Sequence, residues 1–276
     1  MAINVRTNAS SLNTLKQLSR TTRSLSRSFE RISSGLRISR AADDAAGLGV
    51  AENLRAAHTS ARVAARNVND GISIIAVAEG ASNEVANILV RMRELAIQSA
   101  SDTLGTEQRA YIQTEYIQLQ SEIDRISSVT EFNGQQLADG SLASMDVQVG
   151  IGNTASDVIT ISLGDLGSTF LGVDSAVMSL STAAAAQTAL TNIDSALSSV
   201  GQYRAGFGAT ENRLNSALNN LETYEETTMA AESRIRDADF GFESAALAQN
   251  QVLQQAGVAI LSQVKNLNQG ALQLLQ

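Results

Sequence analysis

The residues whose types first suggest chemistry are one histidine, His58, and two neighbouring carboxylates, Asp43-Asp44. A lone imidazole in a chain without Cys makes neither a metal site nor a nucleophile–base pair. His58 also falls in a helical stretch, where a packed or solvent-facing imidazole is the plainer reading. Adjacent carboxylates at a helix start do not face one another. Asp43 or Asp44 instead suits the N-cap of the following helix, where a carboxylate meets free N–H groups at the positive end of the dipole. The absence of Cys removes disulfides, thiolate nucleophiles and Cys metal ligands together. The expectation is a non-enzyme with no catalytic residue, no metal and no cofactor.

Charge is the stronger signal. The net charge is −8, yet residues 1–40 carry eight Lys/Arg against one acid, Glu30, so the rest of the chain carries −15. Such asymmetry marks an interaction arm. Lys16, Arg20, Arg23, Arg27 and Arg31 fall on one helical face. Residues 211–243 offer the opposite sign, with eight acids against three Arg. Nucleic acid is a poor partner for the basic face, because no aromatic interleaves with it and the whole chain is acidic. A lattice contact is the favoured reading and a solvated face the plainer alternative.

The elements that must carry these residues are helical. There is no Pro in 276 residues, as expected of long unbroken helices, since Pro removes a donor and clashes with the preceding turn. Residues 12–36 form an amphipathic helix whose Leu15, Leu18, Thr22, Leu25, Phe29, Ile32 and Leu36 alternate spacings of three and four, a heptad seam. A connector follows over 39–47. A helix from about 44 to 100 keeps Leu54, Ala61, Val68, Ile75, Ser82 and Leu89 in one seven-residue register, despite Asn69-Asp70-Gly71. A turn at 101–107 leads to a helix over 107–128. Phe132-Asn133-Gly134 and Asp139-Gly140 are turn signals. Alternation at Val147, Val149, Ile151 and at Ile159, Ile161, Leu163 predicts a β-hairpin within about 145–173. Helix resumes over 181–236, with Ile193, Val200, Phe207, Leu214 and Leu221 in register. The last helix spans 240–275, with Leu253, Gly257, Ile260, Val264, Leu267, Ala271 and Leu274 on one stripe.

The fold class is therefore mainly α: a long helical bundle with paired terminal helices and one small hairpin. The expected domains are 1–40 and 237–276, the two halves of a terminal coiled coil, around a 41–236 core. No apolar run reaches the roughly 18–20 residues of a membrane span, so no membrane insertion is expected. The N-terminal segment has no signal-peptide core and cleavage site. The terminal seams lack neighbours along the chain, and short helices depend on packing. The self-assembly seam is thus read as Leu15, Leu18, Leu25, Phe29, Ile32 and Leu36 with Leu253, Ile260, Val264, Leu267 and Leu274.

Five strings in order resemble bacterial flagellins: FERISSGLRISRAADDAAGLGVAENLRA (29–56), RNVNDGISIIAVAEGASNEV (66–85), LVRMRELAIQSAS (89–101), SEIDRISSVTEFNGQQLADG (121–140) and the closing segment 232–275. The resemblance implies a structural subunit that polymerises with itself into the flagellar filament and supports swimming. It implies passage through the flagellar type III channel and an extracellular location in the filament. The partners it implies are the hook-junction and filament-cap proteins, the flagellar export chaperone and the Toll-like flagellin receptor of hosts. Arg91, Leu95 and Glu115 match the positions that receptor recognises. The short span from Gly140 to Leu190 implies that the large outer domains of many flagellins are missing. A hook–filament junction protein and a generic coiled-coil scaffold are the alternatives.

Overall fold

The computed structural model describes residues 9–175 and 178–273. In chain order they form α1 (Ala9–Ser34), α2 (Ala45–Ala100), α3 (Thr106–Val129), β1 (Glu131–Phe132), β2 (Gln135–Gln136), β3 (Ser144–Gln148), β4 (Val158–Ser162), α4 (Ala183–Arg236) and α5 (Phe240–Gln273). The chain divides into two compact units, residues 57–226 and residues 1–56 with 227–276. These boundaries fall inside the positions 40 and 237 expected from the sequence.

The 57–226 unit is built on the predicted registers. Ala61, Val68, Ile75, Ser82 and Leu89 on α2 are all buried, as are Ile193, Val200, Phe207, Leu214 and Leu221 on α4. Each buried large aliphatic side chain contributes about 1.5–3 kcal/mol. Ser82 fits the apolar row because its hydroxyl donates to the Ala78 carbonyl at 2.8 Å, which satisfies a polar group that would otherwise be costly to bury. Three ion pairs, Arg93–Asp194 at 2.7 Å, Arg204–Glu79 at 3.8 Å and Arg62–Glu225 at 2.6 Å, set α2 and α4 antiparallel. Their exposed settings make them register marks more than sources of stability.

α2 runs unbroken through Asn69-Asp70-Gly71. The glycine is there for space. A Cβ at Gly71 would lie 3.1 Å from a Val147 methyl and 3.4 Å from a Leu214 methyl. The bare backbone lets the hairpin and α4 close on α2. β3 and β4 pair antiparallel, with Val147 opposite Ile159 and Met145 opposite Ile161. Val147, Ile159 and Ile161 turn inward, as the two-residue period requires.

β structure ends at Ser162, which corrects the expectation that it extends to 173. Residues 163–175 form an ordered loop held by α3. Asp124 accepts bonds from the Ser168 N–H and hydroxyl at 2.9 and 3.0 Å. Gln120 accepts from the Ser175 N–H and donates to Asp174. The Tyr116 hydroxyl donates to the Val173 carbonyl at 3.0 Å. These side chains replace the ladder bonds a strand would have made. Burial, reinforced by the Asp174 carboxylate, pushes the Tyr116 phenol well above its ordinary range. The sequence also yielded only a turn at 132–134, where the structure has a second, two-residue hairpin, β1–β2. Asn133 and Gly134 both adopt positive φ, 51° and 77°, as such a tight turn demands.

Candidate self-assembly seam

The other unit pairs α1 with α5. Two contacts fix their sense. Arg31 meets Glu243 at 2.8 Å, and the Gly257 backbone faces Leu18, with an added Cβ 3.2 Å from Leu18 Cδ1. The helices therefore run antiparallel. α1 holds its threonines by bonding Thr14, Thr21 and Thr22 hydroxyls to carbonyls four residues back, which frees them from competing for other structure. It stops at Gly35, in the left-handed region at φ 72°, whose N–H reaches the Arg31 carbonyl at 2.8 Å.

The connectors at the end of this pair are tied together. Leu36 bridges Asp237, the Arg37 N–H donates to the Arg236 carbonyl at 2.7 Å, and the Ala238 N–H donates to the Gly35 carbonyl at 2.9 Å. The Arg37 guanidinium caps the Ile235 carbonyl. Asp44 is the N-cap of α2, accepting from the Gly47 N–H at 2.9 Å. Asp43 closes the preceding turn instead, accepting from Arg40 and Ser39 N–H groups. Those bonds hold its carboxyl below the usual range, the Arg40 N–H contributing most. Both carboxylates are thus occupied with backbone.

The seam's register differs from the expectation in a specific way. Leu18, Leu25 and Ile32 are half-buried, but their partners in α1 are Thr14, Thr21 and Ser28, not Leu15, Thr22 and Phe29. The α5 face that meets α1 comprises Leu247, Asn250, Gln254, Gly257, Leu261 and Val264. Leu15 and Phe29 stay 45% and 51% exposed, and Leu253 and Ile260 stay 48% and 51% exposed. Leu36 is half-buried. The Leu267 side chain and Leu274 lie outside the described residues. Within one chain the pair is closed by half-buried Leu18, Leu25 and Ile32 interleaved with Thr14, Thr21 and Ser28, while bulky apolar side chains on each helix, Leu15 and Phe29 on α1 and Leu253 and Ile260 on α5, are left facing outward. A reading by hydrophobicity alone passes over the Ser/Thr row, although its seven-residue spacing at Thr14, Thr21 and Ser28 was visible in the sequence.

A groove of about 610 Å³ runs between the two helices, lined by Lys16, Leu18, Arg20 and Thr21 on one side and Leu253, Ala256, Gly257 and Ile260 on the other. Arg31, read from sequence with the basic face, turns instead to α5 and pairs the buried Glu243 carboxylate. Lys16, Arg20, Arg23 and Arg27 remain exposed.

In the 57–226 unit, Arg91 donates to Glu115 at 2.7 and 3.0 Å and to Glu94 at 2.8 Å. These bonds raise its pKa above the ordinary guanidinium value. Leu95, grouped with Arg91 and Glu115 from the resemblance, is only 2% exposed. It packs in the core with Met92 and Tyr116. Only Arg91 and Glu115 of that trio form surface.

Among the described residues no His/Asp/Glu group is arranged to hold a metal ion, and no helix is long and apolar enough to cross a membrane.

Residues 5–143 match the family described as bacterial flagellin N-terminal helical region, and residues 190–275 match bacterial flagellin C-terminal helical region. A flagellin of Halalkalibacterium halodurans is 40% identical over 250 residues, covering 91% of each chain. The flagellar filament 33 kDa core protein of Treponema phagedenis is 36% identical over 282 residues, covering 98% of each. The crystal structure of Bacillus cereus flagellin aligns at a TM-score of 0.50 and 32% identity, over 56% of this chain and 88% of that one. With both terminal helical regions matched and relatives of this identity spanning nearly the whole length, the chain belongs to the bacterial flagellin family.

Proposed function

We propose that this chain is the structural subunit of a bacterial flagellar filament, polymerising with copies of itself through α1 and α5 and serving swimming motility. The observation that carries this reading is the outward row of Leu15, Phe29, Leu253 and Ile260 on the α1–α5 pair. The kinship to flagellins, one of them named as a filament core protein, supports it. Apolar side chains of this size gain about 1.5–3 kcal/mol each when buried, a gain open to packed copies and closed to a lone subunit.

On this reading the protein works outside the cell, in the filament. It travels with a flagellar export chaperone and through the type III channel, and it meets hook-junction and filament-cap proteins at the two ends of the polymer. Host recognition is a secondary property. The Toll-like flagellin receptor would read Arg91 and Glu115, and Leu95 would hold that surface from beneath. Electron microscopy of the purified protein after salt-induced assembly tests the main reading. Long filaments of uniform diameter are expected, and discrete small oligomers or amorphous aggregate would refute it.

A further inference from the structure

The basic stripe of α1 has no counterpart in its own unit. Lys16, Arg20, Arg23 and Arg27 are exposed, and none pairs a carboxylate among the described residues. The neighbouring α5 carries one acid, Glu243, which is already committed to Arg31. The stripe follows spacings of four, three and four, so it holds one face over about 16 Å of helix. Four like charges in one row repel each other, and a chain gains by bringing carboxylates to them.

On α4, Glu222 and Glu226 stand one turn apart, exposed, with no cationic partner among the described residues. Their helix neighbour Glu225 is instead paired with Arg62. The other acids one turn apart, Asp239 and Glu243, are already engaged, Asp239 by the Phe242 N–H and Glu243 by Arg31. Glu222 and Glu226 share the four-residue step of Lys16 and Arg20. The latter two also line the groove that holds Leu253 and Ile260, so a helix docked on them by charge would shade apolar side chains as well.

We propose that Lys16 and Arg20 of one copy dock on Glu222 and Glu226 of a second copy, an electrostatic contact that orients subunits as they add. This rests on the filament reading, and it adds which surfaces of two copies meet. Complementary charge chiefly directs encounter and register, and it weakens as salt shortens the screening length to about 8 Å at physiological ionic strength.

The test is charge reversal and rescue with the purified full chain. Two variants, K16E/R20E and E222K/E226K, and their combination in one chain are assembled under the wild-type conditions, and the critical concentration is read by sedimentation. Each parent should raise that concentration by about tenfold or more, and the combination should restore it to near the wild-type value. Parents that assemble like wild type overturn the proposal. So does a combination no better than the worse parent, which would mean that the two rows meet other things. K16E/R20E protein that polymerises normally but loses binding to vesicles of anionic phospholipid would assign the stripe to a lipid surface instead. Wild-type protein that forms no filament at all would refute the filament reading itself, a different result from lost rescue.

Discussion

Leu18 of α1 rests on the bare backbone of Gly257 in α5, with room for little more than hydrogen between them. The contact brings two helices together in the middle of a seam where Thr21, Ser28, Asn250 and Gln254 alternate with half-buried Leu25, Ile32, Leu247 and Leu261. A glycine inside a helix costs about 1 kcal/mol against alanine, so its presence here is explained by the close approach. Gly257→Ala should leave the pair nearly intact, because the helix gains what the contact loses. Gly257→Val should push the helices apart. Hydrogen exchange of residues 9–34 in the monomer should accelerate in the valine variant and not in the alanine one. Equal protection in both would show that Leu18 does not depend on that space.

Gly164 faces the ring of Tyr203, and a Cβ added there would fall inside the ring's van der Waals surface. An aromatic ring packed between loop and helix has little freedom to yield. Gly164→Ala should therefore destabilise the 57–226 unit by about 1–3 kcal/mol, read as a lower midpoint in urea. An unchanged midpoint would mean that the loop moves aside freely.

Asp157 ties the hairpin connection. Its carboxylate accepts from the Thr154 hydroxyl and N–H at 2.7 and 3.0 Å, and these bonds, the hydroxyl first, hold its pKa below the ordinary 3.8. A carboxyl with a depressed folded pKa contributes stability above its unfolded value and loses it as pH falls through the folded value. The amide signals of 150–157 should thus stay fixed from neutral pH down to about 4 and shift only below that. A transition centred above pH 4 would contradict the assignment, and Asp157→Asn should abolish the acid transition.

Much of the 57–226 unit was legible in the sequence, because its rows are written in large apolar residues. Ile75, Leu89, Ile193 and Leu214 repeat every seven positions and are buried as the period requires. The loop after Ser162 was not legible. Its fixed points, Asp124, Gln120 and Tyr116, sit far away in sequence on α3, and no local pattern announces a side chain that will bond a distant backbone. The seam was half legible. Leu18, Leu25 and Ile32 stood out, while Thr21 and Ser28 were hidden by their polarity, and Arg31 could not be told from its exposed neighbours until Glu243 came beside it. The surface formed by Arg91 and Glu115 was reached only by resemblance, and burial then separated Leu95 from it.

That separation makes a prediction about host recognition. Arg91→Ala removes an exposed side chain and should leave melting of the monomer nearly unchanged while lowering the response of cells bearing the Toll-like flagellin receptor. Leu95→Ala empties a packed position and should cost about 2–5 kcal/mol of stability, so its effect on the receptor follows from the fold. Full receptor activity in the Arg91 variant at wild-type stability would remove that residue from the recognised surface.

The central claim is that the outward row on α1 and α5 becomes buried between copies. Ile260 lies half-exposed in the single chain, so an aspartate there is solvated in the monomer, yet in a packed polymer an unpaired carboxylate costs several kcal/mol. The direct measurement is sedimentation of Ile260→Asp protein beside wild type across a concentration series, with thermal unfolding of each monomer as the control. The predicted result is no pelletable polymer from the variant at many times the wild-type critical concentration, with the melting of the 57–226 unit unmoved. Filaments at the wild-type critical concentration would contradict it.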